Sequence, residues 1–158
     1  MAVEFKDFSI KVKTELNDTT IAWLHETANE ISSHAKRNCA MDGEIGSQLR
    51  GSYRAEVNDG KGEAKIGTPL EAGYWEEWGT GEYAAHGDGR KGWWIYSDKV
   101  KGNGGKKRTE RQAKAIAASD PTLHATNGRR PSYTLEKAFK ANQAKAIAML
   151  EKMLKGMG

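Results

Sequence analysis

A single cysteine, Cys39, stands in 158 residues, so an internal disulfide cannot form and no paired cysteines are present to hold zinc. No apolar run approaches the length of a membrane span, and the first residues lack the apolar core of a signal peptide. This predicts a soluble chain made in the cytoplasm, with no membrane partner. Three prolines all fall where elements should begin or end: Pro69, Pro121 and Pro131. The motifs of common cofactor and metal sites are missing too. There is no HExxH, and Gly102 to Lys107 (GNGGKK) lacks the GxxxxGK[ST] spacing of a phosphate loop. No cofactor and no metal is therefore expected.

What is present is glycine, charge and tryptophan. Eighteen glycines point to many turns, and 37% hydrophobic residues suffice for one modest core. The length suits a single domain over residues 1–158. Net charge is +4, unevenly spread. Residues 1–79 carry 9 Lys/Arg against 14 Asp/Glu, and residues 80–158 carry 16 against 7. Such asymmetry marks binding faces of opposite sign, or complementary faces on neighbouring copies, unless the halves interleave in space.

Met1 to Leu16 alternates loosely and suits a short edge strand or a docked arm. Asp18 to about Ala40 follows as a long helix, with Ile21, Leu24, Ala28, Ile31 and Ala35 on one face. Its two histidines, His25 and His34, read as surface residues. Met41 to Gln48 reads as a linker. Alternation from Leu49 to Val57 predicts a strand, Asn58-Asp59-Gly60 a turn, and Glu63 to Thr68 the second arm of a hairpin. Trp93 to Ser97 (WWIYS) predicts another strand. Lys99 to Arg108 is a basic, glycine-rich flexible loop. Thr109 and Gln112 form a capping box that opens a short helix to about Ser119. Asn127-Gly128 marks a turn, and a second long helix begins near Pro131. The expected class is α+β, an antiparallel sheet of about four strands packed by a long N-terminal and a long C-terminal helix.

Between hairpin and loop lies Ala72 to Gly81, AGYWEEWGTG. A short strand or turn of helix should end at Trp78, because Gly79 and Gly81 suit a tight loop. Glu76 and Glu77 invite comparison with the paired carboxylates of glycosidases, which face one substrate about 5–9.5 Å apart. Adjacent residues of a strand point to opposite faces, so this pair does not meet that requirement. The favoured reading has Tyr74, Trp75 and Trp78 anchoring the segment while Glu76 or Glu77 is offered to a basic neighbour.

Three stretches carry a family resemblance: Ile45 to Tyr53 (IGSQLRGSY), Lys65 to Gly81 (KIGTPLEAGYWEEWGTG) and Asn127 to Phe139 (NGRRPSYTLEKAF). In this order they resemble the head–tail joining or tail-completion proteins of long-tailed siphophages and their prophages. Tyr74, Glu77, Gly79 and Thr80 match the family's middle motif; Pro131, Leu135 and Ala138 match its third. The first motif departs: MDGEIG (Met41 to Gly46) stands where the family has Pro-x-Asp-Thr-Gly, so only Gly46 matches. The resemblance implies a non-enzymatic protein of the virion neck. It would form a ring, with six copies the expected number on the particle, around the DNA exit channel. Its partners would be the head connector and the tail terminator or tail tube. It would be found in the host cytoplasm during assembly and then at the head–tail junction.

On this reading Tyr74, Trp75, Glu77, Trp78, Gly79 and Thr80 lie at the subunit or ring interface, and Lys106, Lys107 and Arg108 touch DNA or the lumen. Two rivals stand beside it. One is a basic nucleic-acid-binding module, recognised by salt-dependent binding of the isolated protein. The other is a small hydrolase using Glu77 or His86.

Overall fold

Leu24, Ala28, Ile31 and Ala35 recur at three- and four-residue intervals, and in the computed structural model of the chain they form a buried seam on helix α1 (Asp18–Asn38). The structure describes residues 9–11, 18–97 and 106–156. Trp23 joins the seam, whereas Ile21 is half-buried. Burying Leu24 and Ile31 contributes about 2 kcal/mol each. The chain divides into two compact units, Met1–Glu77 with Tyr133–Gly158, and Trp78–Ser132.

In the first unit, α1 packs along α5 (Thr134–Lys155) and across β2 (Arg54–Asn58) and β3 (Glu63–Gly67). The Trp23 indole N–H donates to the Ala146 carbonyl at 2.8 Å. The Asn142 amide donates to the Ala138 carbonyl at 2.7 Å and to His34 Nδ1 at 2.8 Å. His34 thus belongs to the helix–helix contact. His25 stays exposed, 2.8 Å from the Asp59 carboxylate. Strands β2 and β3 form the expected hairpin, Asn58 opposite Glu63, and β1 (Ser9–Lys11) pairs with the other edge of β3.

Residues 41–52 depart from expectation. Gly43–Ser52 is a helix, α2, where a linker and the start of a strand are expected. Gly46, Leu49 and Tyr53 are its buried positions and the residue that follows it. Their spacing of three and four is helical, but Leu49 and Tyr53 also fit an alternating pattern. Gly46 is held tightly, since a Cβ there would collide with the Met41 carbonyl.

The second unit is built on two antiparallel strands, β4 (Trp94–Ser97) and β5 (Leu123–Thr126), covered by α4 (Glu110–Ala117). The capping box is formed: Gln112 N–H donates to Thr109 Oγ1 at 3.3 Å, and Thr109 N–H to Gln112 Oε1 at 3.1 Å. Ala113 is the buried contact of α4. Helices and antiparallel strands make the chain α+β. In place of one sheet of about four strands, the described residues form a three-stranded sheet, β1-β3-β2, and a separate ribbon, β4-β5. Most of the basic loop expected over 99–108 lies outside the described residues.

Candidate functional site

The AGYWEEW segment is helical: α3 spans Glu71–Trp78. On a helix, positions 71, 74 and 75 share one face and 72, 73, 76 and 77 the other. The chain buries the second face. Glu76 is 0% and Glu77 4% exposed, whereas Tyr74 and Trp75 are each 41% exposed. The expected roles are therefore exchanged. The carboxylates anchor the segment from inside, and Tyr74 and Trp75 are its outward residues. Gly73 permits this packing, because a Cβ there would collide with the Thr68 methyl group.

Each carboxylate holds a distant piece of backbone. Glu76 Oε1 accepts from Ala40 N–H, just beyond α1, at 2.7 Å, and from the Thr134 hydroxyl at 3.2 Å. Glu77 Oε2 accepts from Leu135 N–H at 2.8 Å, and Oε1 from Glu136 N–H at 3.0 Å. These amides belong to the first turn of α5, where N–H groups have no partner within the helix and the dipole favours a negative charge. The local N-cap, Tyr133, supplies no side-chain capping bond to the helix and adopts φ 50°. Glu77 takes over that task from another element. Burial raises the pKa of Glu77 above its ordinary value, against the lowering effect of the two amides. A carboxylate enclosed in this way and bonded through both oxygens is a helix cap, which removes it from the residues offered to a neighbour.

Gly79, Thr80 and Gly81 begin the second unit. Gly79 and Gly81 take φ +73° and +62°, a region that disfavours any side chain. A Cβ on Gly79 would lie 2.7 Å from the Arg129 carbonyl and 2.8 Å from Pro131 N. Thr80 N–H donates to the Arg129 carbonyl at 2.8 Å, and Arg129 N–H to Thr80 Oγ1 at 3.0 Å. Glu82 N–H continues the pairing to the Asn127 carbonyl at 2.9 Å. The Gly-Thr-Gly turn is thus zipped to the Asn127–Arg129 turn. Trp78 is half-buried, its ring 4.7 Å from that of the exposed His86.

Lys106 and Lys107 are exposed, and Arg108 is half-buried. Backbone bonds in both directions between Arg108 and Trp93, at 2.8 and 3.3 Å, fix this end of the basic segment beside β4. The unit Trp78–Ser132 carries eleven Lys/Arg against five Asp/Glu. Cations also lie over its rings: Arg90 over Trp94 at 5.1 Å, Lys114 over Trp93 at 5.3 Å and Arg130 over Tyr83 at 4.8 Å. None of these cation–ring contacts is anticipated by the sequence reading, in which Trp93 to Ser97 is only a strand.

Among the described residues, no group of three or more His, Cys, Asp or Glu is placed to hold a metal ion. No described helix is long and apolar enough to cross a membrane. A cleft of about 40 Å³ between α1 and α5, lined by Thr27, Glu30, Asn142 and Lys145 among others, is water-sized. No family model, no curated protein and no solved structure matches the chain significantly.

Proposed function

We propose that this protein is a non-enzymatic virion assembly protein that completes a phage tail and joins it to the head connector, acting as a ring around the DNA exit channel. The observation that supports this reading is the pairing of residues from the second and third stretches of the resemblance. Within one unit, Glu77 caps α5 at Leu135. Within the other, Gly79 makes room for the backbone at Pro131. Two short motifs, separated by about a third of the chain, solve each other's packing problems. That gives a physical reason for them to occur together.

The outward Tyr74 and Trp75 supply an aromatic surface suited to a neighbouring subunit or neck protein. In this reading Thr80 and Gly79 shape the adjoining turn, and Lys106, Lys107 and Arg108 face DNA or the lumen. Phosphate neutralisation needs charge but no fixed geometry, so an exposed lysine pair suffices.

The test is deletion of the gene in the phage that encodes it, followed by electron microscopy of the lysate. Free DNA-filled heads beside free complete tails are expected. Normal virions would overturn the reading.

A further inference from the structure

Helix α5 buries one face and leaves the opposite one open. Leu135, Ala138 and Asn142 are buried, and Ala146, Met149 and Met153 continue that face against the core. On the other side Lys137, Lys140, Ala144, Ile147, Glu151 and Leu154 are all exposed, Ile147 by 51% and Leu154 by 47%. They follow one another at intervals of three and four residues in strict alternation, which is the spacing of a coiled-coil seam. A single exposed isoleucine or leucine is ordinary. Here the order of the whole seam, Lys-Lys-Ala-Ile-Glu-Leu, is complementary to its own reverse. Laid antiparallel on a second copy, with the two-fold axis between residues 145 and 146, Lys140 falls opposite Glu151 and Ala144 opposite Ile147. The methylene stem of Lys137 covers Leu154. The two-fold axis repeats each of these pairings. Within its own helix Lys140 already bonds the Glu136 carboxylate one turn back. An ammonium group has three N–H donors and can serve both carboxylates.

We propose that this face of α5 pairs with the same face of a second copy of the chain, giving a two-fold antiparallel dimer. Charge selects both direction and register. Parallel pairing sets Lys140 against Lys140 and Glu151 against Glu151. Antiparallel pairing displaced by one heptad sets Ile147 against Glu151, or Lys137 against Ile147. Of these arrangements, only the central antiparallel register joins unlike charges and seats Ile147 on a small residue. It also brings Lys137 and Lys140 towards the carboxyl end of the facing helix, where the dipole favours cations. Self-complementarity is the property of an isologous contact, and an unrelated partner would give no reason for it. Two helices of this length meeting along one seam bury on the order of 1,000 Å² in total, the small end of specific interfaces, so the dimer is weak, with a dissociation constant of roughly tens of micromolar. The proposal is separate from head–tail joining, whose subunit contact lies at Tyr74 and Trp75, and does not depend on it.

The test is sedimentation equilibrium of the full-length protein from about 5 to 500 μM, a range that brackets the expected dissociation constant. The average mass should rise from that of one chain towards that of two. Glu151→Lys replaces both ion pairs by like charges and should weaken the dimer about tenfold or more. Lys140→Glu should do the same. The double variant Lys140→Glu/Glu151→Lys restores opposite charges across the two-fold axis and should dimerise as wild type. So should an equimolar mixture of the two single variants, each of which is monomeric alone. All these positions are exposed, and circular dichroism at low concentration establishes that each variant is folded. Three outcomes would overturn the proposal: one chain's mass at every concentration, wild-type association of Glu151→Lys, or a folded double variant that stays monomeric. Complementation of a phage lacking the gene by Glu151→Lys is a separate readout, so this proposal and the head–tail reading can fail independently.

Discussion

Glu77 and Leu135 lie 58 residues apart in sequence, yet the Glu77 carboxylate accepts the Leu135 N–H at 2.8 Å and closes the amino end of the C-terminal helix. With the bond from Glu136, one side chain satisfies two of the orphan donors of α5. Removing it leaves both amides unpaired in a site with little access to water. Glu77→Ala is expected to destabilise the protein by about 3 kcal/mol, the cost of leaving two donors unpaired at the end of the helix. Urea unfolding followed by circular dichroism measures it. A loss under about 1 kcal/mol would mean that α5 does not need this cap.

The same carboxylate makes stability depend on pH. Its folded pKa is raised above the ordinary 4.5. Between the two values the folded chain keeps a proton that the unfolded chain releases. The stabilisation from Glu77 is therefore fully present below pH 4.5 and declines as pH rises through the folded value. The stability gap between wild type and Glu77→Ala should be widest at the acidic end and narrow towards neutrality. Urea midpoints across that range read the gap directly, and a gap that widens with pH would reverse the assignment.

Gly43 and Gly79 separate backbone strain from steric conflict. Both have φ near +72°, but a Cβ on Gly43 meets nothing within 4 Å, whereas one on Gly79 meets the Arg129 and Pro131 backbone. Gly43→Ala should cost about 1 kcal/mol, the strain of the left-handed region alone. Gly79→Ala should cost about 3 kcal/mol, because backbone cannot move aside as a side chain can. Thermal unfolding of the two variants side by side gives the difference. Equal losses would show that the turn relaxes.

Tyr53 is 1% exposed, and its hydroxyl has no hydrogen-bond partner among the described residues. Burial, and after it the neighbouring Cys39, Glu76 and Glu77, push its ionisation upward, so it stays a neutral phenol. Tyr53→Phe deletes an unsatisfied group without changing the shape of the ring. It should leave stability unchanged or raise it by up to about 1 kcal/mol. A clear loss in the urea midpoint would point to a partner for the hydroxyl, such as a buried water.

Much of this architecture is legible in local sequence, because local patterns set it. The α1 seam, the Asn58-Asp59-Gly60 turn and the capping box at Thr109 are each encoded within a few residues. Strand β5 is only LHAT and gives no period to read. Helix α2 is obscured because Leu49 and Tyr53 satisfy both a helical and an alternating spacing. The fate of Glu76 and Glu77 was the least accessible. Their partners lie in Ala40, Thr134, Leu135 and Glu136, and no window on the sequence joins those positions. The residues that look most chemical are consumed by architecture, and the aromatics that look most like core are left outside.

That exchange leads to a prediction about Tyr74 and Trp75. Both stand on the open face of α3, opposite the side that holds Ala72, Gly73, Glu76 and Glu77. If they form the contact between subunits or with a neck protein, the double variant Tyr74→Ser/Trp75→Ser should fold with a urea midpoint close to that of wild type, since surface substitutions typically change stability by about 0.5 kcal/mol or less. The same variant should fail to complement a phage lacking the gene, because aromatic anchors carry a disproportionate share of interface energy. Trp78→Ala should behave in the opposite way. Its ring is half-buried against His86, so stability should fall first, by about 2 kcal/mol, and particle yield only as a consequence. Plaque counts from complementation, set beside the unfolding midpoints, separate the two cases. Full complementation by the double serine variant would remove the α3 aromatics from the interface.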